Sequence, residues 1–169
     1  LISCDSQKTT FETQSHFESH ISNPDNGYLN SDESDDFVFE TNLIPPLSTS
    51  KSECTIQLRI SRRDGNPVLS TGKVTQEESL GREGYFTFDV VNDVRLKQGG
   101  QYLKPSLHHY ERNFGIKPSV DMFFVFDGIK QGKEAEFRYN DHVFNQGLIS
   151  IQLENKLFNL SMQDHPYHS

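Results

Sequence analysis

The sequence predicts an all-β protein, an antiparallel β-sandwich of about seven to nine strands preceded by an acidic polar tail. Several short segments alternate apolar and polar residues, and this period of two places successive side chains on opposite faces of a strand. Turn residues separate these segments at the spacing expected of a sandwich or barrel. No stretch of about ten residues carries the apolar stripe of an amphipathic helix.

The first two predicted strands follow the tail. The segment FVFETNLI places Phe37 and Phe39 on one face, and the prolines at positions 45 and 46 end it. An Asp-Gly pair in RRDGNP predicts a turn after the second strand, CTIQLRI. In CTIQLRI every second residue is apolar, and these residues are predicted to face the core: Cys54, Ile56, Leu58 and Ile60.

Five more segments complete the predicted set of strands. YFTFDVV is predicted to be a strand with Phe86, Phe88 and Val90 on one face. VDMFFVF is apolar on nearly both faces, which predicts a central strand. EAEFRY, GLISIQL and KLFNLSM are the remaining predicted strands. Jelly-roll, immunoglobulin-like and C2-like arrangements all satisfy this pattern, so the topology stays open.

Charge and composition divide the chain into a tail and a domain. Residues 1–35 contain seven acidic residues and one basic residue, Lys8, so they contribute −6 to the formal net charge of −8. Few apolar residues occur there, and such a segment buries too little surface to offset its ordering entropy. We therefore predict a tail or linker at residues 1–35, a sandwich domain at 36–162 and a short C-terminal tail at 163–169.

Several classes of function are disfavoured by the sequence. An acidic chain without a basic stripe is a poor binder of nucleic acid, whose affinity for proteins depends on Lys and Arg. No apolar run approaches the roughly 18 residues of a membrane helix, so no transmembrane segment is expected. No G-x-S-x-G motif, phosphate-binding glycine loop or C-x-x-C pair occurs. We therefore expect a non-enzymatic protein that needs no cofactor.

The candidate binding site lies in the long connection at residues 98–118, which contains the stretch KPSLHHYERNFGIKP. Connections of this length are commonly functional, or they contain a short element that periodicity does not reveal. Aromatic rings, histidines and cations suit stacking and charge-assisted hydrogen bonds, so we expect recognition of a protein or a glycan by this loop and an adjoining sheet edge. The predicted binding residues are Tyr102, Lys104, His109, Tyr110 and Arg112.

One alternative is a calcium-dependent binding domain. The segment FTFDVVND resembles the C2-domain pattern, in which an alternating strand leads into a loop with two acidic residues, here Asp89 and Asp93. This resemblance implies a calcium site completed by Asp121, Asp127 or Asp141 from other loops.

A second alternative is a metal-dependent enzyme on a β-barrel. His109 and Glu111 share a face of an extended strand, and either His142 or His165 would complete a set of two histidines and one carboxylate. Such a set binds non-haem iron in oxygenases.

The two cysteines bear on location. LISC at positions 1–4 resembles the cleavage box of bacterial lipoproteins, in which a small residue precedes a cysteine that becomes lipidated. This resemblance implies a lipid anchor on Cys4 and favours an extracellular or cell-envelope location. The residues themselves leave open a Cys4–Cys54 disulfide or two free thiols.

Overall fold

A computed structural model describes residues 14–44, 52–130 and 133–154 of the chain. Nine strands in these ranges form two antiparallel sheets, so the predicted all-β sandwich is confirmed. Sheet A contains, in spatial order, β1 (Leu29–Glu33), β2 (Phe37–Ile44), β3 (Glu53–Arg62), β7 (Val120–Asp127) and β6 (Leu107–Glu111). Sheet B contains, in spatial order, β5 (Gln101–Leu103), β4 (Val94–Gln98), β8 (Ala135–Asp141) and β9 (Gly147–Leu153).

The core lies between the two sheets. The four residues predicted to face inward on β3 are buried, as are Phe37 and Phe39 on β2. Strand β7 lies between β3 and β6, which confirms its predicted interior position in the sheet. The Phe137 ring of sheet B contacts the rings of Phe124 and Phe126 of sheet A, with centroids 6.1 Å and 6.5 Å away, and these contacts join the two layers.

Helix α1 (Gln14–Ser22) and a 3-10 turn (Pro24–Asn26) precede β1. The side chains of Ile21 and Tyr28 are buried, and the Leu43 amide donates a hydrogen bond to the Tyr28 carbonyl at 2.9 Å. Strand β1 pairs with β2 along its whole length. Sheet A therefore begins inside the segment predicted to be a tail, because that segment contains enough apolar side chains to anchor one more strand.

Helix α2 (Gln76–Gly84) lies in the connection from β3 to β4, after a 3-10 turn (Val68–Ser70), and continues into a π-helical turn (Tyr85–Asp89) and a second 3-10 turn (Val90–Asn92). It begins with a capping box: the Glu78 amide donates to the Thr75 hydroxyl at 3.2 Å, and the Thr75 amide donates to the Glu78 carboxylate at 2.6 Å. None of the helices in the described ranges has the length and apolar composition that a membrane crossing requires.

The predicted strand YFTFDVV is wrong, because these residues are helical. Phe86 and Val90 are buried, whereas Phe88 is 73% exposed. Residues four positions apart lie on one face of a helix, so Phe86 and Val90 both face the core. The Phe86 ring packs against the rings of Tyr110 and Phe144, with centroids 6.2 Å from each. A strand would have placed Phe88 beside Phe86.

The predicted 98–118 loop contains two edge strands. A turn at Gly99 and Gly100, both with positive φ, reverses the chain so that β5 pairs with β4 in sheet B. The next three residues, 104–106, carry the chain to sheet A, where β6 pairs with β7. The predicted strand KLFNLSM and the C-terminal tail lie outside the described residues, as does Cys4.

Candidate functional site: the β6 edge and the adjoining helix

The five predicted binding residues lie on two different sheets. Tyr102 belongs to β5 of sheet B, and Lys104 follows β5 on the crossover. His109 and Tyr110 are neighbours on β6 of sheet A, and Arg112 follows that strand. Adjacent residues of a strand point to opposite faces, so His109 is exposed while Tyr110 points into the core. The structure therefore does not gather the five side chains into one pocket.

Tyr110 is a core residue. Its side chain is 6% exposed, and its ring lies 6.2 Å from that of Phe86. Burial, reinforced by the nearby Glu83 carboxylate and opposed by Arg112, raises the pKa of the Tyr110 phenol. This ring supports the helical segment from inside and offers no face for stacking with a partner.

Arg112 joins the end of β6 to helix α2. Its Nε donates to Oε1 of Glu83 at 3.0 Å, and its Nη2 donates to Oε2 of the same carboxylate at 3.2 Å. The hydrogen bond to Glu83 raises the pKa of the guanidinium. The Cζ atom of Arg112 also lies 6.0 Å from the ring centroid of Phe114 in the β6–β7 turn. Arg112 therefore contacts both α2 and the β6–β7 turn.

His108 makes a second connection between β6 and the helical segment. Its Nε2 lies 2.9 Å from the Thr87 carbonyl oxygen, a contact that requires a hydrogen on Nε2. The His108 ring stacks on Phe124 with centroids 6.2 Å apart. Together with the Arg112–Glu83 pair, this contact fixes residues 83–88 alongside β6.

Exposed apolar side chains concentrate around these two connections. Within the described residues, seven large hydrophobic side chains are exposed, and only Tyr102 and Leu148 belong to sheet B. The other five lie on α2, its π-helical extension, β6 and the β6–β7 turn, and we refer to them as the β6–helix surface: Leu80, Phe88, Leu107, Phe114 and Ile116. Exposed apolar side chains on adjoining elements are candidates for an interaction site in a soluble protein.

The residues of the proposed iron site are dispersed. Across the three described ranges, no three His, Cys, Asp or Glu side chains are placed to hold a metal ion. His109 and Glu111 lie on β6, whereas His142 Nε2 lies 3.1 Å from an Asp93 oxygen next to sheet B. His165 lies outside the described residues.

In the described ranges, the acidic residues of the calcium alternative do not form a group of three that could hold a cation. Asp89 lies on the π-helical turn rather than at a strand end. Asp121 is buried beneath Arg59, whose Nε donates to its Oδ1 at 2.7 Å. Asp141 accepts hydrogen bonds from the turn that joins β8 to β9, including the Gln146 amide at 3.0 Å. Asp121 and Asp141 therefore have structural roles of their own.

Sequence reasoning missed the helical half of the site. Glu83, Thr87 and Phe88 come from a segment that the alternating pattern assigned to a strand or left without structure. The sequence does contain one signal for it: Thr75 and Glu78 are spaced as a capping box, which predicts a helix start.

Comparison of the chain with protein-family models, with curated proteins and with solved structures returned no match.

Proposed function

We propose that this protein is a non-enzymatic interaction module that binds a protein partner through the β6–helix surface. The observation that supports the proposal is the concentration of five of the seven exposed large hydrophobic side chains on that surface. Three of the five residues, Leu107, Phe114 and Ile116, belong to the 98–118 segment that the sequence singled out, and β6 is an edge strand of sheet A. Edge strands and exposed apolar patches are both recurrent elements of protein interfaces.

The chemistry of the surface favours a protein over a glycan. Leu80, Leu107 and Ile116 are aliphatic, and an aliphatic side chain offers a sugar neither a stacking face nor a hydrogen bond. Phe88 and Phe114 add the aromatic area that interfaces favour at their centres. The polar Arg112–Glu83 pair beside them suits the charged rim of such an interface.

Selection of phage-displayed random peptides against the full chain tests this proposal. Peptides that bind the wild-type protein are measured against the single variants Leu107→Ser, Phe114→Ser and Ile116→Ser. We expect each variant to weaken binding by about tenfold, because truncating an anchor at an interface centre costs about 1–2 kcal/mol. Amide hydrogen exchange along β6 should slow in the presence of a bound peptide.

Leu148→Ser is the matched control, because Leu148 is an exposed leucine on β9 of the other sheet. We expect it to leave peptide binding unchanged. If the selected peptides bind all three β6–helix variants as well as they bind the wild type, the surface is not the binding site.

A further inference from the structure

The outward-facing side of sheet B carries an excess of positive charge. The residues of β4 and β8 alternate between buried and more exposed, and apart from the buried Asp141 the charged ones face outward. Three of them are cations and one is an anion: Arg95, Lys97, Arg138 and Glu136. On β9 the outward positions are uncharged, namely Leu148, Ser150 and Gln152. This face therefore has a net charge of +2 in a chain whose formal net charge is −8.

The outward-facing side of sheet A has the opposite character. On β2, β3, β6 and β7 the register places one cation outward, Arg59, which is paired with a buried carboxylate. The outward-facing acidic residues of these strands are Glu40, Glu53, Glu111, Asp121 and Asp127. The positive charge on sheet B is therefore a local feature of one face, which attracts anions close to its surface.

Two of the cations are arranged unfavourably in the absence of an anion. Arg95 and Arg138 are directly opposite each other on β4 and β8, and like charges in this position destabilise a sheet. The Arg138 Nη1 donates to Glu136 at 2.9 Å. The Arg95 guanidinium donates to the carbonyl oxygens of Val91 and Val94, and within the described residues it has no carboxylate at salt-bridge distance. An anion bound at Arg95 would offset the unfavourable cross-strand pairing of the two cations.

An exposed aromatic ring borders the cations. Tyr102 pairs with Lys97 across β5 and β4, and its side chain is 55% exposed. The Arg138 Cζ lies 5.6 Å and the Lys97 Nζ 5.9 Å from the centroid of its ring. A ring beside cations on a flat sheet face offers stacking and charge-assisted hydrogen bonds to the same ligand.

We infer that the outward face of sheet B binds an acidic polysaccharide, one that carries carboxylate or sulfate groups. A protein partner fits this face less well, because only Tyr102 and Leu148 are exposed large apolar residues there. Single-stranded nucleic acid fits less well, because Tyr102 is the one exposed aromatic ring on this face among the described residues, whereas proteins that bind single strands stack successive bases on several rings. The site is distinct from the β6–helix surface and does not depend on the function proposed for it.

Calorimetric titration of the full chain with a heparin oligosaccharide tests the inference. We expect binding at low salt that weakens as NaCl is raised from about 50 to about 300 mM, because salt screens exposed charges. The triple variant Arg95→Gln, Lys97→Gln and Arg138→Gln should bind about tenfold or more weakly, since each exposed charge pair contributes about two- to fivefold. The single variant Lys97→Gln should lose less heparin affinity, and it provides a second measurement if the triple variant is unstable.

Lys73→Gln is the matched control, because Lys73 is an exposed cation on the connection before α2. This variant should bind heparin with wild-type affinity. Binding of neutral dextran should be undetectable for the wild type and for every variant. Equal binding of single-stranded DNA and heparin would overturn the assignment to a polysaccharide. Unchanged heparin affinity in the folded triple variant would overturn the site. Concentration-dependent self-association that the triple variant abolishes, without heparin binding, would assign the face to a second copy of the chain instead.

Discussion

Arg112 and Glu83 form a two-point hydrogen bond that fastens the end of β6 to helix α2. The two residues are 29 positions apart in the chain: Arg112 directly follows β6 of sheet A, and Glu83 belongs to the connection that leads to sheet B. The pair therefore determines how the exposed side chains of the helix lie relative to those of the β6–β7 turn. Because the guanidinium is exposed, we expect its role to be positional rather than a large contribution to stability.

Breaking this pair should loosen the helix without unfolding the protein. We predict that Glu83→Gln or Arg112→Gln accelerates amide hydrogen exchange in residues 80–88 and leaves the melting temperature nearly unchanged. Lys117→Gln is the control, because Lys117 approaches Glu111 only to 3.9 Å and, among the described residues, forms no hydrogen bond or ion pair with α2. If amide exchange in α2 is as slow in Glu83→Gln and Arg112→Gln as in the wild type, the hydrogen bonds do not position the helix.

Phe86 and Phe88 should respond very differently to truncation. Phe86→Ala removes a fully buried ring and should lower the free energy of unfolding by about 3–5 kcal/mol. Phe88→Ala removes an exposed ring and should change it by about 0.5 kcal/mol or less. Chemical denaturation of the two variants measures both values. Similar losses in both would support the strand that the sequence suggested and contradict the helix.

The strands could be predicted from the sequence where one face of a segment is buried and the other is solvated. β3 shows this most clearly, because its inward positions are apolar and its outward ones are polar. The same criterion misassigned residues 85–91. Phe86 and Val90 are four positions apart, a spacing that suits a strand and a helix equally. Only the capping box ahead of them favours the helix.

The candidate site was less predictable, because it depends on long-range pairing. Residue composition identified 98–118 as unusual, but it did not show that β5 and β6 belong to different sheets. Nor did it show that Tyr110 points inward while its neighbour His109 points outward. The register of β6 against β7 decides this, and a shift by one residue would exchange the two side chains.

Asp141 should be important for the turn that joins β8 to β9. Its carboxylate accepts hydrogen bonds from the Tyr139 hydroxyl at 3.0 Å and from the amides of Val143, Phe144 and Gln146. Asp141→Asn replaces one acceptor oxygen with a donor facing those amides, so we predict a loss of about 1–3 kcal/mol in the free energy of unfolding.

Two control variants test whether the Asp141 carboxylate itself stabilises the turn. Tyr139→Phe removes the hydroxyl that donates to Asp141 and also hydrogen-bonds Tyr85, and it should cost about 0.5–1.5 kcal/mol for each bond lost. Asp127→Asn changes an exposed carboxylate at the end of β7 and should change stability by less than about 0.5 kcal/mol. An Asp141→Asn variant as stable as Asp127→Asn would mean that the turn does not depend on the carboxylate.

The Cys54 thiol should be unreactive in the folded protein. Cys54 is a buried free cysteine, and burial, reinforced by the carboxylates of Glu53 and Asp127, raises the pKa of its thiol. The thiolate is the reactive form, so we predict that Cys4→Ser protein reacts with Ellman's reagent only after unfolding by guanidinium chloride. Ser70→Cys in the same background places a thiol at an exposed position and should react at once. Rapid reaction of native Cys54 would contradict its burial.

Glu136 should make stability depend on pH in the acidic range. A hydrogen bond from Ser150, followed by the charges of Arg138 and Lys97, holds the pKa of the Glu136 carboxyl below its ordinary value of 4.5. A depressed pKa means that the folded state favours the ionised carboxylate. The ionised Glu136 carboxylate therefore contributes its full stabilisation when the pH is above the ordinary pKa. This contribution disappears as pH falls through the lower pKa of the folded state.

Glu136→Gln should therefore be less stable than wild type near neutral pH, by about 1 kcal/mol or less because the carboxylate is partly exposed, and should approach wild type at about pH 3. Thermal melting of both proteins across this range measures the difference. Asp35→Asn removes a carboxylate from the exposed turn between β1 and β2 and controls for the change in net charge. A deficit that does not shrink as pH falls would trace the effect to packing, since protonation progressively removes the charge of the carboxylate.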